Sequence, residues 1–141
     1  MIVYNEEKKD LPSGQLHEMF IEAGWSDGNE PDWMKEKFNA PFLHSTLVIS
    51  AWEGERLVGC VRVLSDTVTR SVIYDLVVRK DMRGQGIGSE LLRRCMAKYP
   101  QSEWLLQTQE HIVPFYEKMG FVRFGDPVLY REMNWEGGGA R

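Results

Sequence analysis

The chain has 141 residues, a length typical of one ordinary domain, and 43% of them are hydrophobic, as in globular proteins that bury their own core. The net charge of -4 and the absence of a basic run argue against nucleic acid as a main partner, because phosphate backbones demand clustered Lys and Arg. No apolar stretch approaches the length of a membrane span, and the first residues lack a signal-peptide pattern. We therefore predict a cytoplasmic protein that makes no membrane contact.

The first third of the chain predicts a short strand over residues 2–4 and then two helices. Ser13 or Gly14 can cap the first helix, whose apolar residues recur at helical spacing until Gly24. The second helix is predicted over residues 31–38, after a turn. The two helices and their connection contribute several aromatic and acidic side chains, namely Trp25, Asp27, Glu30, Trp33, Met34 and Phe38.

The middle of the chain predicts a hairpin, residues 46–52 and 56–64, followed by a strand that ends at Val78. These strands are apolar on both faces at their centres, so helices are expected to cover both sides of the sheet. The two cysteines lie in apolar patterns, Cys60 in a strand and Cys95 on a helix face, and are interpreted as buried, reduced thiols. The histidines have no ligand-like spacing with the cysteines, and no metal site is predicted.

A glycine-rich turn joins the strand that ends at Val78 to a helix. The turn reads Arg83-Gly84-Gln85-Gly86-Ile87-Gly88, and apolar residues recur at helical spacing after it. A helix start exposes unpaired N–H groups and the positive end of the peptide dipole, and glycines let an anion approach that backbone closely. This junction favours a ligand that carries a phosphate, although a lone glycine triplet could also be a tight helix entry without any ligand.

The spacing of the glycines fits neither the dinucleotide-binding nor the P-loop signature. It resembles instead the R-x-x-G-x-G signature of the GCN5-related N-acetyltransferase (GNAT) superfamily, with Arg83, Gly86 and Gly88 in the signature positions. In that family the loop binds the pyrophosphate of acetyl-coenzyme A (acetyl-CoA). The resemblance implies that the cofactor is bound by the whole turn: Arg83, Gly84, Gln85, Gly86, Ile87, Gly88 and Ser89.

A second motif resembles the same superfamily about thirty residues further on. A strand is predicted over residues 104–108, and Pro114 and Gly120 are suited to the start and the end of a short helix. Within it, Phe115-Tyr116-Glu117-Lys118-Met119-Gly120-Phe121 matches the pattern F-Y-x-x-x-G-F, whose tyrosine protonates the departing coenzyme A thiolate in many members. The resemblance places Tyr116 in that role; the alternative is a core aromatic whose hydroxyl is satisfied by a backbone carbonyl.

The resemblance implies an α/β fold with a mixed, mostly antiparallel twisted sheet of six to seven strands, a central splayed parallel pair and helices on both faces. Residues 1–135 are then a single N-acetyltransferase domain, closed by an antiparallel pair over residues 121–124 and 128–133. Residues 136–141 have no large apolar anchor and are predicted to be a flexible tail. A homodimer is predicted from the habit of the family and from the frequency of two-fold dimers.

Acetyl transfer to an amine also needs a route for the amine proton, because a lysine-like amine with a pKa of about 10.4 is the free base only about once in 2,500 molecules at pH 7. The candidate bases are Asp75, on the strand expected to flank the acyl group, and Glu110 and His111, just after the following strand; each could take the proton directly or through water. For each of them a structural or surface role is an equal alternative. Polyamine-acetylating relatives have an acidic pair where this chain has Tyr74 and Asp75, so polyamine specificity is in doubt.

The same resemblance assigns further contacts with acetyl-CoA. Leu76, Val77 and Val78 are expected to pair their backbone with the pantetheine arm, and a backbone N–H around Val77 is expected to donate to the oxyanion. Gln109 replaces an asparagine that contacts the cofactor in relatives. Arg79, Lys80 and Arg93 are available for the 3′-phosphate.

The sequence does not identify the acetyl acceptor. The aromatic and acidic residues of the first two helices either form a pocket for an amine or belong to the core. The main prediction is an acetyl-CoA-dependent N-acetyltransferase that acts on a primary amine of a small molecule or peptide. A non-catalytic acyl-CoA-binding sensor is the alternative, because it would keep the turn and need no general acid.

Overall fold

The computed structural model of this chain describes residues 1–134. It divides into two compact units, Met1–Leu106 and Gln107–Arg141. The predicted tail, residues 136–141, lies outside the described residues, and the assignment of residues 1–135 to a single domain stays a prediction.

The first unit is built on a mixed sheet of five strands. Its strands are β1 (Val3–Asn5), β2 (Leu47–Glu53), β3 (Arg56–Ser65), β4 (Arg70–Val78) and β5 (Glu103–Leu105). They lie in the order β1-β2-β3-β4-β5, and every neighbouring pair is antiparallel except β4 and β5, which are parallel. The predicted α/β class with a mixed, mostly antiparallel sheet is confirmed, but the described residues form five strands and not six to seven, and the parallel pair lies at the edge of the sheet and not at its centre.

Four helices accompany this sheet, and they cover both of its faces. They are α1 (Ser13–Glu22), α2 (Asp32–Glu36), α3 (Ala40–Leu43) and α4 (Ile87–Lys98). Cys60 of β3 packs in the core cluster that includes Leu16 and Met19 of α1, whereas the preceding residue, Gly59, faces Ile87 and Leu91 of α4. Since successive strand residues point to opposite faces, α1 and α4 lie on opposite sides of β3.

The hairpin and the first helix form close to where the sequence predicts them, but the region after the first helix differs. Ser13 does not cap α1; it is the first helical residue, and its hydroxyl accepts a hydrogen bond from the backbone N–H of Asn39 at 3.1 Å. The second helix is shorter than residues 31–38, and α3, which the sequence did not predict, follows it after a turn.

The second unit begins with a 3-10 turn, Glu110–Ile112, and the helix α5 (Val113–Lys118). Residues 119–134 form neither helix nor strand, so the predicted closing pair over residues 121–124 and 128–133 is wrong. Side chains of both segments are largely exposed, among them Val122, Phe124, Leu129 and Tyr130. A strand is stable only where neighbouring strands or a core cover one of its faces, and among residues 107–134 no core covers these two segments.

Both cysteines are free and buried, as the sequence predicts. Burial raises the pKa of the Cys60 thiol, and it raises that of Cys95 to about 12, so both remain protonated and unreactive at neutral pH. Among residues 1–134, no group of three or more His, Cys, Asp and Glu side chains could hold a metal ion. The same residues contain no helix that is long and apolar enough to cross a bilayer.

Candidate active site

The turn between β4 and α4 is held by glycines in the left-handed region. Gly84 and Gly86 have φ angles of 81° and 82°, which side chains other than glycine rarely adopt. A Cβ built on either residue would meet no atom within 4 Å. The backbone of the turn is therefore accessible from outside, as the close approach of an anion requires.

The start of α4 has free hydrogen-bond donors. Gly86 is the N-cap and supplies no side-chain cap, and the first N–H bonded back into the helix is that of Glu90, to the carbonyl of Gly86 at 3.0 Å. Within residues 1–134, no acceptor is recorded for the N–H groups of Ile87, Gly88 and Ser89. These three donors and the helix dipole form a site suited to a phosphate.

Arg83 joins this turn to β4. Its Nε donates to the carbonyl of Val78 at 3.1 Å, and the rest of its side chain is exposed. A guanidinium so placed lies next to both the glycine turn and the last residue of β4. It can contribute a charge-assisted hydrogen bond to an anion there.

The strand β4 has an open edge beside this turn. It pairs with β5 only over residues 70–72, so residues 73–78 have no neighbouring strand on that side within the first unit. The N–H of Arg79 donates to Val58 of β3 at 2.8 Å, and strand residues alternate in direction, so the backbone of Val78 points away from β3. By the same alternation the backbone N–H and C=O groups of Leu76 face the open edge, and those of Val77 face β3.

The same alternation identifies which N–H groups of the predicted site face the open edge of β4. The oxyanion donor was expected around Val77, but the N–H groups on the open edge belong to Leu76 and Val78. The reason is an irregularity in the register of β3 and β4 between Cys60 and Arg62, which inserts one extra residue into β4.

Gly59 is a residue of the site that the sequence analysis missed. A Cβ there would lie 3.1 Å from Cγ2 of Ile87 and 3.2 Å from Cδ1 of Leu91. Its missing side chain lets the first turn of α4 pack closely against the sheet. The signal was an isolated glycine inside a strand pattern, which often marks a close approach of another element.

Asp75 lies at the irregularity in β4. Its Oδ2 accepts a hydrogen bond from Nε of Arg62 at 2.5 Å, and both side chains are mostly buried, 25% and 18% exposed. The carboxylate of this candidate base is therefore already engaged in an ion pair.

Arg79, expected to contact the 3′-phosphate, is buried too. It donates hydrogen bonds to Gln15 and Glu18 of α1 and to the carbonyl of Leu57 of β3, so it links α1 to the sheet.

In the second unit, Tyr116 lies on α5 and is 9% exposed. Its ring packs edge-on against Phe115 and Phe121, at centroid distances of 5.0 and 5.7 Å. Burial raises the pKa of the phenol to about 12. No hydrogen bond from the described residues reaches its hydroxyl, so the backbone-carbonyl partner of the structural alternative is absent from residues 1–134.

Three other polar residues of the second unit precede Tyr116. Gln109 caps the 3-10 turn through its carbonyl, which accepts from the N–H of Ile112 at 2.9 Å, and its side chain is exposed. Glu110 is paired with Arg123, whose hydrogen bonds hold the pKa of that carboxyl below its usual range. His111 is exposed, and no hydrogen bond to its ring is recorded within the described part of the chain.

Three of the residues considered for the acceptor pocket, Trp25, Glu30 and Phe38, contact α1 or the segment that follows it. Glu30 is 6% exposed and accepts hydrogen bonds from His17 at 2.8 Å and from Ser26 at 2.5 Å. Phe20 contacts the rings of both Trp25 and Phe38 at 5.1 Å. The burial of Glu30 and the packing of Phe38 against the core agree with the core interpretation of these two residues, whereas Trp25 is 46% exposed.

Comparisons with known proteins agree on one family. Residues 8–134 match the family described as "Acetyltransferase (GNAT) domain". The chain is 27% identical over 140 residues to an uncharacterized N-acetyltransferase from Porphyra purpurea, an alignment that covers 94% of this chain and 76% of that protein.

Solved structures show the same fold. A GNAT-family acetyltransferase from Streptococcus pneumoniae superposes with a TM-score of 0.73 at 24% identity, covering 94% of this chain and all of the other, 100%. A predicted acetyltransferase with acetyl-CoA from Clostridium acetobutylicum superposes with a TM-score of 0.65 at 17% identity, covering 97% and 98% of the two chains.

Proposed function

Because the chain belongs to the GNAT acetyltransferase family, we propose that it is an N-acetyltransferase that moves the acetyl group of acetyl-CoA to a primary amine of a small molecule or peptide. One observation carries the proposal: the uncovered turn at Gly84 and Gly86, with the free donors of α4, adjoins the open edge of β4. A phosphate site beside an unpaired strand edge suits a ligand with a pyrophosphate and an extended, amide-bearing arm. The crystal structure of the Clostridium acetobutylicum acetyltransferase is one with acetyl-CoA, which supports coenzyme A thioesters as the ligand class.

Binding would use two kinds of backbone contact. The N–H groups of Ile87, Gly88 and Ser89 would hold the pyrophosphate, with Arg83, Gly84, Gln85 and Gly86 shaping the turn. The pantetheine amides would pair with Leu76 and Val78 as a strand pairs with a sheet edge. Arg93 is exposed but already bound to Glu90 at 2.9 Å, so a 3′-phosphate would compete with that carboxylate.

The chemical step would be direct attack of the free amine on the thioester carbonyl. The N–H of Leu76 would donate to the developing oxyanion, and Tyr116 would protonate the coenzyme A thiolate as it leaves. For the amine proton we favour His111, whose ring has no recorded partner, over Asp75, whose carboxylate is engaged by Arg62.

Calorimetry with coenzyme A tests the cofactor site. Gly86→Leu should weaken binding by about tenfold or more, equivalent to about 1.4 kcal/mol, because the side chain distorts and covers the turn. Gly24→Leu is the matched control, since Gly24 is also left-handed, at φ 78°, and equally open, but ends α1. Equal affinity of a folded Gly86→Leu variant and wild type would refute the placement of the cofactor.

Thiol release from acetyl-CoA in the presence of an amine panel tests the reaction itself. Amino acids, small aromatic amines, aminoglycosides and lysine peptides should be included, because the packed connection between α1 and α2 does not select among them. Coenzyme A binding without turnover of any amine would favour the sensor. The cytoplasmic location stays a prediction and is tested by fractionation.

A further inference from the structure

Asp75 has a backbone conformation that is rare inside a strand. Its φ is 54°, in the left-handed region that residues other than glycine adopt uncommonly, although aspartate and asparagine do so more often than most. Among residues 1–134 the other such residue is Thr67, which lies in the turn before β4, where Asp66 accepts hydrogen bonds from several neighbouring N–H groups. Asp75 lies inside a strand with no such turn around it, so the contacts of its side chain are the local interactions that can stabilise this conformation.

The conformation coincides with a β-bulge. Arg62 of β3 is paired with Tyr74 and Cys60 with Val77, so that Asp75 and Leu76 both face the single residue Val61. In one class of bulge, the G1 bulge, the first position is a left-handed glycine, and here Asp75 occupies that position.

The bulge determines which backbone groups reach the open edge of β4. The N–H of Asp66 donates to the carbonyl of Arg70 at 3.1 Å, so Arg70 and, by alternation, Tyr74 point to β3. Without an extra residue, Leu76 and Val78 would also point to β3 and Val77 would point outward. With the bulge, the backbone N–H and C=O groups of Leu76 and Val78 face the open edge, and those of Val77 face β3.

The side chain of Arg62 contacts Asp75 and several other groups. Besides the 2.5 Å hydrogen bond from Nε to the carboxylate, its guanidinium carbon lies 4.9 Å from the ring centroid of Tyr74 and 5.9 Å from that of Phe42. Its Nη1 lies 3.5 Å from Oγ of the buried Ser45. A guanidinium fixed by two rings and a carboxylate can move little, and neither can its partner.

We propose that Arg62 is a positioning residue that stabilises the left-handed bulge at Asp75 and so directs the N–H groups of Leu76 and Val78 toward the pantetheine arm. The inference rests on the proposed function, because it concerns how that site holds acetyl-CoA. Arg62 itself contacts neither the turn at Gly86 nor any group assigned to the reaction other than Asp75. Arg62 acts on cofactor binding indirectly, through the backbone conformation of β4 at the bulge.

Calorimetry with coenzyme A tests this inference on folded variants. Arg62→Met removes the ion pair and should weaken binding by more than about fivefold. The double variant Arg62→Met/Asp75→Gly should recover an affinity within about fivefold of wild type, because glycine adopts the left-handed conformation without an anchor. Arg70→Met is the control, since it removes an exposed arginine–carboxylate pair from the same strand.

The glycine rescue separates positioning from simple stabilisation, because it restores the bulge and not the ion pair. An affinity of Arg62→Met within about fivefold of wild type, or a double variant as weak as the single one, would overturn the inference. If Arg62→Met does not fold, the affinity of the double variant decides alone. Wild-type protein that fails to bind coenzyme A would refute the proposed function, whereas wild-type binding with no effect of Arg62→Met refutes only the role of Arg62.

Discussion

Tyr116 combines burial with a free hydroxyl. Its ring is held by Phe115 and Phe121, while no described residue hydrogen-bonds its oxygen. Burial opposes ionisation, so the pKa of the phenol rises to about 12 and the group keeps its proton at every ordinary assay pH. The phenol therefore carries the proton that the proposed reaction requires, although the raised pKa makes it a weaker acid than an exposed tyrosine.

Tyr116→Phe should therefore lower kcat by about 10²- to 10⁴-fold with little change in acetyl-CoA affinity, because phenylalanine keeps the ring packing and loses only the acid. Thiol release measures kcat, and calorimetry measures the affinity. Tyr130→Phe is the matched control, since Tyr130 is 85% exposed. Full activity of Tyr116→Phe would assign the proton to water or to another residue.

The pH dependence of the wild-type enzyme follows from the same pKa. Since the raised pKa keeps the acid form present through pH 10, loss of this proton should not reduce kcat until the pH approaches about 12. A decline of kcat centred near pH 8 that disappears in Tyr116→Phe would contradict a buried, neutral phenol.

At the scale of elements, the packing of α4 against the sheet determines where the free N–H groups at the start of this helix lie. The first turn of α4 places Ile87 and Leu91 against Gly59 of β3, and both side chains are buried. A Cβ at Gly59 would lie 3.1 and 3.2 Å from these side chains, which is closer than ordinary van der Waals contact, so Ile87 and Leu91 would have to shift by a few tenths of an ångström. The phosphate site thus depends on a residue of another strand.

Gly59→Val should destabilise the protein by about 1–3 kcal/mol, because extra methyl groups in a packed contact force α4 outward. It should also weaken coenzyme A binding, since the displaced helix carries the donors of the turn. Urea unfolding and calorimetry measure the two effects. Gly125→Val, which meets no atom within 4 Å, should change neither; unchanged stability of Gly59→Val would mean that α4 can shift without cost.

At the scale of the whole molecule, the oligomeric state is a prediction on which no residue of the described site depends. Two-fold homodimers are the commonest assemblies of soluble proteins, and a homodimer is expected here. Sedimentation velocity at micromolar concentration measures the mass directly. A species of 16.4 kDa would be the monomer and would contradict the prediction.

The sequence by itself determined the features that are encoded locally. The hairpin, the strand before the turn, the left-handed glycines and the uncapped start of α4 depend on residues near one another in the chain, so spacing and residue type were sufficient. The short helix around Tyr116 was predicted for the same reason, by a proline near its start and a left-handed Gly120 after its end.

Only the tertiary structure decided which backbone groups face the open edge and which side chains are free. The ion pair of Arg62 with Asp75 joins residues on different strands, and the bulge there shifts the outward donors to Leu76 and Val78. The predicted closing pair over residues 121–124 and 128–133 is wrong for the same reason. A strand depends on neighbouring strands and a core that its own sequence does not specify. Local patterns encode conformation, but pairing and burial depend on residues that are brought together from distant parts of the chain.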